Sequence, residues 1–145
     1  MAASQPQSFT NHTKWDPLFH FILVPISIVN LFVVGVYLYK TPSRLGAWVL
    51  VLAIAAFLTL FKMRLYSLKV QNRLICLEEK VRMAAVLPSS HKAHVDSLTP
   101  DQFVGLRFAS DDELTTLVER AAKEKLSRAD IKKAVVKWRA DEYRV

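Results

Sequence analysis

The sequence predicts an all-α protein: a transmembrane helical hairpin of two spans, the second extended into a long cytoplasmic helix, followed by a small helical C-terminal domain. Three observations predict it. Leu18–Tyr39 is 22 residues without a formal charge and Leu45–Phe61 is 17. At about 1.5 Å per helical residue these reach roughly 33 and 26 Å, against a hydrocarbon core of about 30 Å. Second, a chain of 145 residues has too little other apolar sequence to wrap two such helices on all sides, which disfavours reading them as the core of a soluble globule. Third, the sequence beyond Pro88 reads as short capped helices with apolar stripes.

The elements follow in order. Residues 1–14 form a polar tail without apolar periodicity. Asp16 before Pro17 is a helix-start signature, an N-cap oxygen followed by a residue that has no amide proton to leave unpaired. The first span is thus expected over about 17–39, with Trp15 at interface depth. It is too long for a signal sequence and lacks a small-residue cleavage site after it. Lys40-Thr41-Pro42-Ser43-Arg44 is turn chemistry, short enough to force an antiparallel hairpin, and Tyr37, Tyr39 and Trp48 flank it as an aromatic belt would. The second span is expected over about 45–62. No helix breaker follows until Pro88, so the same helix runs on through 63–87. Near the span ends, Lys14, Lys62, Arg64, Lys69 and Arg73 outnumber Lys40 and Arg44, which places both termini in the cytoplasm. On that side Asn11-His12-Thr13 is no glycosylation acceptor, and the single Cys76 requires no oxidising compartment.

Residues 88–145 complete the chain as a small helical domain. Thr99-Pro100-Asp101-Gln102 and Ser110-Asp111-Asp112-Glu113 are capping boxes. Leu114, Leu117, Val118 and Ala121 form one apolar stripe, and Ser127 starts a helix whose stripe is Ile131, Ala134, Val135 and Trp138. So small a domain calls for docking on something larger.

Catalytic chemistry is not legible. The three glycines stand singly, so no loop cradles a phosphate. His91, His94 and Asp96 have metal-like spacing without a fourth ligand, in what reads as a solvated linker. No nucleophile, base and orienting acid come together, so no enzyme is expected. Nucleic acid is not an expected partner either: from Arg107 to Val145 ten basic residues face eight acidic ones, and the carboxylates would repel phosphate.

What remains are surfaces for packing. His20, Ser27 and Asn30 are expected on one face of the first span, and Gly46, Ala53, Ala56 and Thr59 supply small side chains to the second. Polar groups in lipid normally face protein, and small residues admit a neighbouring backbone. Either these faces meet inside the hairpin or a third element from another subunit covers part of them. Beyond the second span, Met63, Ser67, Val70, Leu74, Leu77, Val81 and Ala84 recur at alternating steps of four and three, a heptad-like seam. It needs a partner, which is either the C-terminal helices of the same chain or another chain. Residues 62–82 carry six Lys/Arg and two Glu, and Lys62, Arg64, Lys69 and Arg73 suit anionic lipid headgroups. No cofactor is predicted; lipid or pigment are the candidate bound groups, with His20 the candidate axial ligand.

Several blocks carry a family resemblance: Asn11-His12-Thr13-Lys14-Trp15, Phe19-His20-Phe21, Arg64 to Arg73, Leu77-Glu78-Glu79, Leu98-Thr99-Pro100, Leu106-Arg107-Phe108-Ala109-Ser110-Asp111 and Trp138 to Val145. With them the chain resembles small bacterial two-span membrane proteins catalogued as domain of unknown function 6526, the Leu106–Asp111 block being the most specific. The resemblance covers nearly the whole chain. It implies two spans, a helical cytoplasmic tail and a bacterial inner (cytoplasmic) membrane, and it implies no activity. The functional expectation is a non-catalytic accessory subunit packed against larger membrane proteins, in an energy-transducing (photosynthetic or respiratory) complex. The alternative is a self-associating membrane adaptor that recruits a soluble partner through its C-terminal domain.

Overall fold

The computed structural model describes residues 8–9 and 15–141. Most of the polar tail, including the Asn11–Thr13 triplet and Lys14, lies outside the described residues, as do residues 142–145. Among the described residues the architecture is all-α, in two compact units: residues 15–68 form one, and 69–141 with 8–9 form the other.

The first unit is the hairpin. Asp16 caps its start as expected, its Oδ1 accepting from the Phe19 amide at 3.1 Å. A π-turn over Phe19–Leu23 then leads into helix α1, Val24–Lys40. The Val24 amide donates to the Phe19 carbonyl, five residues back. Pro25 is the physical cause: it has no amide to donate, so one carbonyl of the preceding turn must go without its usual partner, and a widened turn accommodates the mismatch. Three residues connect α1 to helix α2, Arg44–Val86. Ser43 caps α2, its Oγ accepting from the Gly46 amide at 3.0 Å. As read from the absence of a breaker, α2 is one helix of 43 residues.

The second unit consists of the later part of α2, a 3₁₀ turn at Ser89–His91, and helices α3 (Lys92–Ser97), α4 (Pro100–Leu106), α5 (Asp111–Lys123) and α6 (Arg128–Ala134). The segment of His91, His94 and Asp96 is therefore helical and not a solvated linker. His91 Nε2 lies 2.7 Å from Glu119 on α5, and this contact with the His91 ring holds the Glu119 carboxyl below its ordinary range. Thr99 and Gln102 make both reciprocal bonds of the expected capping box. The core is built where the stripes meet: Met83 from α2, Phe103 and Leu106 from α4, Leu114 and Val118 from α5 and Ile131 from α6 are all essentially inaccessible.

A second expectation fails as well. The sequence pattern places Trp138 on the stripe of the last helix, but α6 ends at Ala134 and Val135 is already extended, with ψ 122°. Two adjacent β-branched residues, Val135 and Val136, favour that change. The freed amides find a better acceptor than the helix: Glu113 takes those of Val136 at 3.0 Å and Lys137 at 3.2 Å, besides the Ser110 amide at 3.2 Å. Trp138 instead forms an isolated antiparallel bridge with Ala109, closed by Ser110 N–H to the Lys137 carbonyl and Arg139 N–H to the Phe108 carbonyl.

Candidate assembly surface

In the hairpin, half-buried positions recur at helical spacing on both helices: Val24, Ser27, Leu31, Val34 and Leu38 on α1, and Leu50, Ala53, Phe57, Leu60 and Arg64 on α2. These are the inward faces. At the loop end, a Cβ on buried Gly46 would stand 3.1 Å from Leu38 Cδ1 and 3.0 Å from Ser43 Oγ, so the missing side chain sets the helix approach. At the open end, the rings of Phe19 and Phe61 meet edge to face at 5.9 Å, and Arg64 lies 3.6 Å from Asp16 and 5.4 Å over the Phe19 ring.

The expected stripe is divided by this geometry. His20, Ser27, Gly46 and Ala53 fall on half-buried or buried positions, while Asn30, Ala56 and Thr59 are exposed. Asn30 sits roughly 80° from the centre of the inward face of α1, and steps of three drift about 60° each, which carries Ala56 and Thr59 off the face that Ala53 shares. His20 and Ser27 also satisfy themselves locally: His20 Nδ1 is 2.9 Å from the Asp16 carbonyl, and Ser27 Oγ donates to the Val24 carbonyl at 2.8 Å. The His20 ring is wedged edge-on against Trp15 and Phe19, at 4.8 and 5.0 Å. Of the four residues assigned to headgroups, Arg64 is committed to the hairpin, Lys62 lies 5.6 Å over the Tyr66 ring, and Lys69 and Arg73 are exposed.

In the second unit the decisive feature is which side of α2 the short helices occupy. They cover Ile75, Glu79 and Met83, and half-cover Cys76 and Arg82. Arg82 is the joint. It donates to Asp111 Oδ1 at 2.8 and 2.6 Å, to the Ala109 carbonyl at 2.7 Å and to Glu79 Oε2 at 3.0 Å. Burial pushes the Glu79 carboxyl up, and Arg82 beside it opposes that shift. The block Leu106–Asp111 is thus the clasp of the unit: Leu106, Phe108 and Ala109 are inaccessible, Arg107 pairs with Asp141 at 2.9 Å, and Asp111 holds Arg82. A cleft beside it is lined by Glu79, Arg82, Arg107, Arg139 and Asp141 among others, and its guanidiniums are opposed by carboxylates.

The same residues that sequence reading assigned to a seam lie on the opposite side. Met63, Val70, Leu74, Leu77 and Val81 are each more than half exposed. The C-terminal helices of the chain are therefore not what covers them. The docking residues Glu79, Arg82 and Asp111 do not stand out from sequence as a cluster. The only signal for them is that all but Arg82 fall inside the blocks carrying the family resemblance.

The model of a family of unknown function, DUF6526, matches residues 1–145. The chain belongs to this family. No curated protein and no solved structure matches it. Two helices of this family member, Phe19–Lys40 counting the π-turn and Arg44–Val86, are long and apolar enough to cross a membrane. Among the described residues no group of three or more His, Cys, Asp or Glu is arranged to hold a metal ion.

Proposed function

We propose that this chain is a non-catalytic integral membrane protein that works by assembly, as an accessory or structural subunit. The observation that carries it is the two-sided use of α2. One side is occupied by the chain's own helices, and the other presents an uncovered apolar heptad, Val70, Leu74, Leu77 and Val81, continued from Met63. Contiguous apolar exposure of this kind marks an interaction surface. The membrane setting is supported by the apolar exteriors of both long helices, on which Phe21, Ile26, Val29, Phe32, Leu52 and Leu58 all stand in the open. In water that surface would aggregate; in a bilayer it is solvated by acyl chains.

In this reading both termini are cytoplasmic, the membrane is the bacterial inner membrane, and Lys69 meets anionic headgroups. Exposed Asn30 supports a further contact within the bilayer, because a carboxamide facing acyl chains gains from a protein partner. A larger membrane complex of the energy-transducing kind is the proposed setting. Mild-detergent extraction from the native membrane, a native gel and mass spectrometry of the co-migrating band test this. Stoichiometric partner subunits or a defined oligomer of this chain support assembly, and a monodisperse single chain overturns it. A reporter after Val145 that is active only outside the cytoplasm overturns the orientation.

A further inference from the structure

We infer that the partner covering the α2 seam is the α2 of a second copy of this chain, in a parallel, in-register pairing. The inference deepens the assembly reading and rests on it. In a heptad frame set by the seam, Leu74 and Val81 take a positions, and Met63, Val70, Leu77 and Ala84 take d positions. The residues that dock on the chain's own helices take the outer positions, Ile75 and Arg82 at b, Cys76 and Met83 at c and Glu79 at f, with Lys80 at g reaching 5.5 Å over the Phe103 ring of α4. Each copy's helical domain therefore stands away from the a/d face, and two seams can close without displacing either domain.

Charge selects the occupant and its direction. The flanking g positions are Tyr66, Arg73 and Lys80, and the e positions include Gln71 and Glu78. In a parallel pair each g residue faces the e residue five positions further along the partner helix, so Arg73 of one copy meets Glu78 of the other, twice by symmetry. Both side chains are exposed and so available for it. In an antiparallel pair g faces g, and Arg73 and Lys80 would meet cations instead. Copies inserted in one membrane share an orientation, so their α2 helices run parallel, the one direction in which the charges match.

Length and location suit this occupant as well. About three heptads make a marginal coiled coil in free solution, but tethering in a membrane raises the effective concentration and offsets the association cost. Upstream of Met63 the a position, Leu60, turns into the hairpin, and the open side of α2 carries Ala56 at d and Thr59 at g. Both are small and exposed, as close helix approach in a bilayer requires.

The test uses the full chain carrying C76S, reconstituted in vesicles of phosphatidylethanolamine and phosphatidylglycerol and oxidised with copper phenanthroline. M63C and A84C, at opposite ends of the seam, are each expected to form a disulfide-linked dimer alone, whereas K69C, at an outer position, stays monomeric. Crosslinking only when M63C and A84C are mixed would show an antiparallel pair and overturn the inference. Monomeric M63C and A84C would overturn self-pairing whatever co-purifies from native membranes, which leaves the assembly reading to its own test. Charge swaps supply the second measurement. R73E and E78R should each weaken self-association about tenfold, as expected for two exposed pairs turned repulsive. Mixing the two variants should restore it as a heterodimer. Equal association of R73E, E78R and the parent chain overturns the charge argument and with it the choice of occupant.

Discussion

Replacing Arg82 with alanine removes the joint between α2 and the Leu106–Asp111 clasp, and its cost can be worked from the contacts. Asp111 is 62% exposed in its side chain, so the Arg82–Asp111 pair contributes at most about 1 kcal/mol. Glu79 dominates: it is 4% exposed and loses its closest cation, and stripping a partner from a buried charge costs about 3–5 kcal/mol. Arg139 remains 3.4 Å from the other Glu79 oxygen, which moderates the loss. The expected total is about 3 kcal/mol, or roughly 150-fold in the opening equilibrium. Hydrogen exchange of the α5 amides in the full chain, solubilised in mild detergent, reads that equilibrium directly. Adding E79Q should recover about 1–2 kcal/mol, because a neutral amide tolerates burial better than a lone carboxylate. The pH dependence has a defined sign. Burial raises the folded-state value of Glu79 above its ordinary 4.5. Its contribution to stability is therefore full below that ordinary value and is lost as pH rises through the raised one. Removing Arg82 deepens the loss, so the R82A deficit should be smaller near pH 4.5 than near pH 7. Equal destabilisation by R82A and R82A/E79Q, or a deficit independent of pH, would refute the assignment of the cost to Glu79.

Other expected outcomes follow from single contacts. Gly105→Ala places a Cβ 3.1 Å from Ile131 Cβ and Cγ2, and forcing α4 and α6 apart should cost about 1–3 kcal/mol in the same exchange measurement. Lys125 holds a left-handed φ of 50° at the end of α5, where the Leu126 amide donates to the Ala121 carbonyl. Lys125→Gly should therefore stabilise by about 0.5–1 kcal/mol, the relieved strain less the entropy of glycine. Glu113→Ala strips the acceptor from the Ser110, Val136 and Lys137 amides; faster exchange at Trp138 and Arg139 and a loss of about 1–2 kcal/mol are expected. Gly46→Val should open the loop end of the hairpin against Leu38 and lower the melting temperature in detergent, while leaving exchange in α5 unchanged.

Properties that depend on neighbours along the chain were readable from the residues alone. Two uncharged runs set two long helices, Asp16-Pro17 sets the start of the first, Pro88 stops the second, and the Thr99 box starts α4. Heptad spacing also picked out Met63, Val70, Leu74, Leu77 and Val81, which the structure leaves exposed. Which face of each helix is covered was settled only by folding. Spacing cannot say that the short helices dock on Ile75, Glu79 and Met83 and leave the seam open, because both faces of α2 carry apolar residues at helical intervals and only contact chooses between them. The polar stripe divided for the same reason: His20 and Ser27 turned inward and found their own backbone, while Asn30 turned out. Trp138 left its helix because a carboxylate distant in sequence, Glu113, bound the amides that the next turn would have used. Local signals are written in residues a few positions apart, whereas a buried Glu79 held by Arg82 and a Trp138 bridged to Ala109 join segments that only the folded chain brings together.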